Sequence, residues 1–142
     1  KRFFGARIPK APPAPKPPDP EEEFNQALKV IQEERSFPRG RALLSAFLAK
    51  HPTHELSDDA QYWIGQTYFE ERNYERAILA FNKVQVDYAN GDKASDALLQ
   101  EAISFLNLGD KASARELLMR LVQKYPNSEA AKTAEDRLKS IQ

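Results

Sequence analysis

An internal repeat constrains this chain more than any other feature of its sequence. When Asp59 is placed over Asp96, the two segments align for 37 residues without a gap, and Tyr68 meets Phe105. The same step backwards sets a more diverged first unit beneath the second, with its apolar pattern retained. A period of roughly 20–50 residues is typical of solenoid proteins, whose units bury their apolar faces by stacking on one another. We therefore predict an array of stacked units.

Each unit divides into two helices by the spacing of its apolar residues. In the second unit, Ile64 and Tyr68 belong to one series at helical spacing, and Ala77 and Phe81 belong to another that begins after a break. A small residue such as Gly65 lets paired helices approach closely. The same reading along the chain predicts helices at residues 21–35, 37–50, 58–71, 74–87, 93–107, 111–124 and 128–141.

The last predicted helix has no partner helix of its own. Its apolar residues Ala130, Ala131, Ala134 and Leu138 form a narrow stripe between charged residues. Such a helix covers the final unit with one face and meets water with the other. We predict that it is a capping helix.

A proline-rich segment precedes the repeats. Seven of the ten prolines lie between Pro9 and Pro20. Because proline fixes φ and lacks a backbone N–H, we predict an extended arm there rather than a helix or a strand. Two functions stay open for the arm: a tether, or a ligand for a groove of the SH3 or WW type that binds proline-rich peptides.

Composition excludes several classes of function. The chain has no formal net charge, but residues 1–20 carry five basic residues and one aspartate, so residues 21–142 are acidic overall. An acidic domain repels a phosphate backbone, and we therefore expect no nucleic-acid partner. The absence of cysteine excludes disulfides, thiolate metal sites and cysteine nucleophiles. No apolar run approaches the ~20 residues that span a bilayer, so we expect no transmembrane span.

The sequence offers little for catalysis or for a cofactor. His51 and His54 are the only histidines, and acidic residues follow them in a loop between units. A zinc site needs three or four converging ligands, and we interpret these histidines as incidental loop residues. No glycine-rich phosphate loop, nucleophile elbow or HExxH motif is present. We predict a protein that is not an enzyme and has no cofactor or metal.

The order of large, small and aromatic residues in the units resembles the tetratricopeptide repeat. The matching residues are Ile64, Gly65, Tyr68, Tyr74, Ala77, Phe81 and Val84 in the second unit, and Leu98, Ala102, Phe105, Gly109, Ala114, Leu118 and Pro126 in the third. The chain departs from the motif at Arg35 and Arg72, where the turn between helices usually has glycine, and at Gly40, where alanine is usual.

This resemblance implies an all-α fold: a right-handed superhelix of three tetratricopeptide-like helical hairpins plus a C-terminal capping helix. The arm then occupies residues 1–20 and the repeat domain residues 21–142. Within that domain the units lie at about 21–57, 58–94 and 95–127, and the capping helix at 128–142.

A narrower resemblance rests on three short segments. Residues 60–65 (AQYWIG), 125–132 (YPNSEAAK) and 135–139 (EDRLK) resemble the C-terminal domain of the periplasmic Tol-Pal coordinator family (YbgF/CpoB type). This resemblance implies a periplasmic scaffold of the bacterial cell envelope that binds the Tol machinery and coordinates envelope constriction with peptidoglycan synthesis. Two alternatives stay open: a fixed structural subunit of a large envelope or motor assembly, and a lipoprotein component of outer-membrane assembly. The sequence leaves homo-oligomerisation undecided.

In a superhelix of hairpins the first helix of each unit lines a concave groove. The side chains that we expect to face this groove are Asn25, Lys29 and Gln32 in the first unit, Tyr62, Gln66, Phe69 and Glu70 in the second, and Leu99, Ile103, Leu106 and Asn107 in the third. Their character changes from polar to apolar along the array, which suits an amphipathic helix or an extended segment of a partner protein.

Alternatives to this interpretation stay open. Leu99, Ile103 and Leu106 are as well explained by burial under the terminal helix. Trp63 lies beside the groove residues, where it either covers a hairpin edge or anchors a partner, and we favour the structural role. Lys29 is the one cation expected in the groove, so we do not expect a clamp for a C-terminal carboxylate.

Overall fold

Seven α-helices make up the folded domain of this computed structural model, which describes residues 9–14, 16 and 19–141. They are α1 (Pro20–Gln32), α2 (Phe37–Lys50), α3 (Ser57–Glu70), α4 (Tyr74–Asp87), α5 (Ala94–Asn107), α6 (Lys111–Lys124) and α7 (Glu129–Ser140). No strand occurs among the described residues. The prediction of an all-α fold is confirmed, and no helix bound differs from the predicted one by more than three residues.

The largest difference lies at the end of α1, which stops at Gln32 although we predicted helix to residue 35. Arg35 has a positive φ of 55°, and a residue in the left-handed region cannot continue a right-handed helix. Arg72 and Gly109, at the same position in the next two units, have φ of 60° and 82°. All three hairpins therefore turn through a left-handed residue, and the two arginines occupy the conformation that glycine usually supplies.

The helices form two rows. Each helix contacts the next one along the chain, and α1, α3, α5 and α7 also contact one another in that order. The described helices α2, α4 and α6 make no such contacts among themselves. Because α1, α3 and α5 lie closer together, the array curves around them. We call these three the inner helices, and we call α2, α4 and α6 the outer helices.

Three clusters of buried residues connect the units. The first joins the first unit to the second through Phe24, Leu44, Phe47 and Ile64. The second cluster is centred on the fully buried Phe81 of α4 and extends from the second hairpin to Ala97 of α5. Gly65 makes this packing possible, because a Cβ at that position would lie 2.5 Å from ring carbons of Phe81. The predicted close approach of helices at a small residue is present here.

The third cluster joins α5 and α6 to the terminal helix. Ala130 and Ala134 of α7 and Ile141 just after it are buried against Leu98, Leu118 and other residues of α5 and α6. The exposed face of α7 is charged. This is the arrangement expected of a capping helix.

The described residues of the proline-rich arm, 9–14 and 16, are exposed and have neither helix nor strand structure. The helical domain begins at Pro20, where the carboxylate of Asp19 accepts a hydrogen bond of 2.9 Å from the N–H of Glu22. Among the described residues, no helix is both long and apolar enough to cross a membrane.

Candidate functional site: the groove of the inner helices

The predicted groove residues all lie on the inner helices. Asn25, Lys29 and Gln32 are exposed on α1. On α3 and α5 the apolar and aromatic members are half-buried: Tyr62, Phe69, Leu99, Ile103 and Leu106, together with Gln66. Glu70 and Asn107 close their helices and are exposed. A half-buried apolar side chain keeps part of its surface in water, and that part is available to a ligand.

Two aromatic groove residues on α3 pack against aromatic rings of α4. The ring of Phe69 lies 5.4 Å from that of Tyr74, and the ring of Tyr62 lies 5.6 Å from that of the buried Phe81. Such edge and tilted contacts hold large side chains in fixed positions. Burial raises the pKa of Tyr62 to about 12, and the nearby carboxylate of Asp96 adds to the effect.

Polar contacts join α3 to α5 and to the turn that follows α1. The amide of Gln100 on α5 donates a hydrogen bond of 2.6 Å to the side-chain oxygen of Gln66 on α3. At the far end of α3, Glu70 pairs with Arg35 at 3.3 Å, although both side chains are largely exposed. The contact between Gln66 and Gln100 thus joins the exposed surfaces of α3 and α5.

Part of the apolar surface of α5 supports the fold. Leu99 and Leu106 pack against the cluster that α5, α6 and α7 share, as the alternative interpretation anticipated for them. Both residues nonetheless keep part of their surface exposed, as does Ile103. Trp63 packs on the cluster between the first two units, which agrees with the structural role that we favoured.

The two histidines are held by the fold. The Nε2 of His51 lies 3.2 Å from a carboxylate oxygen of Glu23, which also binds the ammonium of Lys50 at 2.6 Å. These two contacts lower the pKa of Glu23. The Nδ1 of His54 accepts a hydrogen bond of 3.0 Å from the N–H of Leu56. Both rings therefore stabilise the loop between the first two units.

A group of three aspartates was not predicted from the sequence. Carboxylate oxygens of Asp58, Asp59 and Asp92 lie within 4.8 Å of one another, a spacing that also suits a metal ion. Asp58 is buried and accepts a hydrogen bond of 3.0 Å from the N–H of Lys93, whose ammonium lies 3.8 Å from Asp59. Burial, together with the neighbouring carboxylates, raises the pKa of Asp59 to about 6. Lys93 compensates part of the charge, and the group fixes the loop before α5.

Asp58 and Asp59 lie in the first turn of α3, whereas Asp92 lies in the loop before α5. These segments are far apart in the sequence, and no local pattern in either of them indicates the contact. The only available signal was the repeat itself, since equivalent loops of successive units stack on one another.

Comparison with known proteins follows the same division into units. The sequence model of the Tetratricopeptide repeat matches residues 32–94, and a second model of the same description matches residues 96–128. Together the two matches cover more than half of the chain and include four of its helices, α2, α3, α4 and α6, in full. The comparison with curated proteins found no match. On the fold and on these two matches, the chain belongs to the tetratricopeptide-repeat proteins, a class of generally non-catalytic scaffolds for protein–protein interaction.

Proposed function

We propose that the groove of the inner helices binds a segment of a partner protein. The observation that carries this proposal is the set of partly exposed apolar side chains Phe69, Ile103 and Leu106 on α3 and α5, two helices that contact each other. Partly exposed apolar side chains that lie side by side gain free energy when a partner covers them. A groove between parallel helices suits an amphipathic helix or an extended segment.

The groove is poorly suited to an anionic chain end. Lys29 is the only basic residue in the three inner helices, and it lies at the polar end of the groove. Capture of a carboxylate needs several converging cations or backbone N–H groups. The partner segment should therefore be recognised by its apolar side chains, and we propose no catalytic activity for the site.

Paired variants of the full chain test this proposal. The groove variant is Phe69→Ser with Ile103→Ser, and the matched control is Leu79→Ser with Val86→Ser. Leu79 and Val86 are 70% and 72% exposed on the outer helix α4, so they change surface hydrophobicity without touching the groove. Loss of partner binding in the groove variant alone supports the proposal. Equal binding by both variants, with unchanged helix content by circular dichroism, would contradict it.

A benzophenone amino acid at position 69 gives a direct measurement of the contact. Cross-linking at position 69, compared with position 79, identifies the proteins that lie in the groove. The cross-linked partner must then lose affinity for the Phe69 and Ile103 variant in a purified binding assay.

For the biological setting, we propose a periplasmic scaffold that coordinates the Tol-Pal system with envelope constriction. This proposal is supported by the likeness of residues 60–65, 125–132 and 135–139 to the Tol-Pal coordinator family. Direct binding of purified periplasmic Tol and Pal domains to the full chain, weakened by the groove variant, is the expected result.

A fixed structural subunit is the competing proposal, favoured by the exposure of the described arm residues, 9–14 and 16. It predicts co-purification of the full chain in a stoichiometric assembly without Tol components. In that assembly, substitutions in the arm would be more damaging than substitutions in the groove.

A further inference from the structure

Charge is divided between the two rows of helices. The inner helices contain eight carboxylate residues and one lysine, whereas the outer helices contain nine lysines and arginines and three carboxylate residues. The formal net charge of the chain is zero, so this division does not follow from composition. The summed charges of a surface set its potential and the sign of the partners that it attracts.

A carboxylate recurs at one position of every inner helix. Glu22, Asp59 and Asp96 are each separated by the repeat step, and each is the third residue of its helix. Each also lies three residues before the first groove residue of its helix, and residues at that spacing share a helix face. The groove therefore has a row of carboxylates along the edge at which the inner helices begin.

The structure shows this edge beside the apolar surface. The carboxylate of Asp96 on α5 contributes to the raised pKa of Tyr62 on α3, which is a groove residue of the neighbouring unit. Asp59 forms an ion pair with the ammonium of Lys93, and this ammonium lies 5.6 Å from the centre of the Tyr62 ring. Within the described residues, neither Glu22 nor Asp96 forms an ion pair with a basic side chain.

We propose that the groove selects a cationic segment of a separate protein, with lysines or arginines along one side and apolar residues along the other. The apolar side would cover Phe69 and Ile103, and the cations would lie against Glu22 and Asp96. The basic outer helices repel the same segment, so electrostatic attraction leads it to the inner face. This inference rests on the proposed function, because it names the partner class of the same groove.

The probe for a test is a labelled synthetic peptide of about 15 residues, with lysine and leucine at helical spacing. A matched peptide carries glutamate in place of lysine. Binding to the full chain is measured by fluorescence anisotropy at about 50 mM and about 500 mM salt, since screening weakens contacts between exposed charges. We expect the lysine peptide to bind, to lose affinity in high salt, and to bind more tightly than the glutamate peptide. Equal binding of both peptides would overturn the inference.

Variants locate the binding on the protein. Glu22→Lys with Asp96→Lys should weaken binding of the lysine peptide roughly tenfold, and Glu22→Gln with Asp96→Asn roughly threefold. Both residues lie in the first turns of helices, where a cation is unfavourable. If the variant with two lysines therefore loses helix content, the variant with Gln and Asn replaces it in the test. The control is Glu75→Lys with Asp87→Lys on α4, which makes the same change in net charge at exposed positions and should alter binding less than twofold. Equal weakening by the groove and control pairs would overturn the inference.

The Phe69→Ser and Ile103→Ser variant separates the two proposals. If it abolishes binding of the peptide while the carboxylate variants do not, the groove binds partners and the charge selection is wrong. If none of these variants changes binding, both proposals are wrong. The competing occupant is the basic arm of the same chain. If Lys10→Gln with Lys16→Gln raises the affinity for the peptide, the groove belongs to that arm, and the assignment to a separate protein is overturned.

Discussion

The hydroxyl group of Tyr88 donates a hydrogen bond of 2.7 Å to the backbone carbonyl of Pro52, which lies in the preceding loop between units. Tyr125 makes the same bond, also 2.7 Å long, to the carbonyl of Ala89. Donors and acceptors are each separated by the repeat step, so successive loops are tied together in the same way. In the first unit His51 takes the position of these tyrosines and contacts Glu23 instead.

Removal of either hydroxyl group should loosen the stack. We expect Tyr88→Phe and Tyr125→Phe each to lower the free energy of unfolding by about 1 kcal/mol, the usual contribution of one hydrogen bond. Urea denaturation followed by circular dichroism measures the change. Tyr74→Phe is the control, since the Tyr74 hydroxyl forms no hydrogen bond to another described residue. A loss no greater than that of the control would contradict the role of these bonds.

Glycine at one hairpin turn should stabilise the chain. Arg72 has a φ of 60°, a conformation that costs an L-residue of this kind about 1 kcal/mol, and its side chain is exposed. We expect Arg72→Gly to raise the midpoint of thermal unfolding, although the greater freedom of glycine in the unfolded chain reduces the gain. The converse change, Gly109→Ala at a φ of 82°, should lower the midpoint. The pair is contradicted if both changes shift stability in the same direction.

The packing of Gly65 against Phe81 should be sensitive to one methyl group. Gly65→Ala places a Cβ 2.5 Å from the ring of a fully buried phenylalanine, and overpacking of this kind costs about 1–3 kcal/mol. That cost exceeds the gain of ~1 kcal/mol from alanine in a helix. We therefore expect a net loss of stability in chemical denaturation.

The third unit provides the compensating pair. Ala102 and Leu118 occupy the positions of Gly65 and Phe81 there, and both are fully buried. Gly65→Ala combined with Phe81→Leu should therefore be more stable than Gly65→Ala alone. If the double variant is less stable than the single one, the clash with the ring is not the cause of the loss.

Glu101 should make stability depend on pH. It is a buried carboxyl group on α5 with one oxygen that has no hydrogen-bond partner among the described residues. Burial raises its pKa from 4.5 to about 7, against a smaller opposing effect of Arg120. The native state therefore holds the proton more tightly than the unfolded state. This contribution to stability is complete below about pH 4.5 and is lost as the pH rises through about 7.

Isoleucine stands at the equivalent position of the second unit, as Ile64. We expect Glu101→Ile to raise the free energy of unfolding more at pH 8 than at pH 5. The two gains should differ by ~2–3 kcal/mol, at ~1.4 kcal/mol per unit of pKa. Urea titrations at the two pH values measure this difference, with the exposed Glu135→Gln as control. A gain that is equal at both pH values would show that Glu101 titrates normally.

Much of the fold could be predicted because the repeat carries the same information several times. Ile64, Tyr68 and Phe81 give the helical spacing, and the match of Tyr68 to Phe105 confirms it in a second copy. The end of α1 could not be placed, because Arg35 is a residue that helices tolerate and the sequence pattern does not reveal its left-handed backbone. The tyrosine bonds were missed for a similar reason. Tyr88 and Tyr125 align, but their acceptors are loop carbonyls without a side-chain signal.

The candidate site was predictable in outline only. The spacing on α3 and α5 placed Phe69 and Ile103 on the inner helices, and the structure leaves both half-exposed. The extent of burial under α7 depends on how that helix docks, which periodicity does not fix. The sequence shows that Glu22, Asp59 and Asp96 recur at the repeat step. Only the contacts between the inner helices show that these residues line one edge of the groove.

The alanine face of α7 covers the last described unit of the array. Ala130, Ala131 and Ala134 are used to cover the third unit, and the opposite face carries Glu135 and Asp136 in water. Another hairpin stacking on that face would have to desolvate these carboxylates without partners, and the cost of burying unpaired charge exceeds the gain from so small an apolar area. A stack of similar units is in principle a one-dimensional polymer. The charged outer face of this helix therefore disfavours the stacking of a further unit, or of a second copy of the chain, on this end of the array.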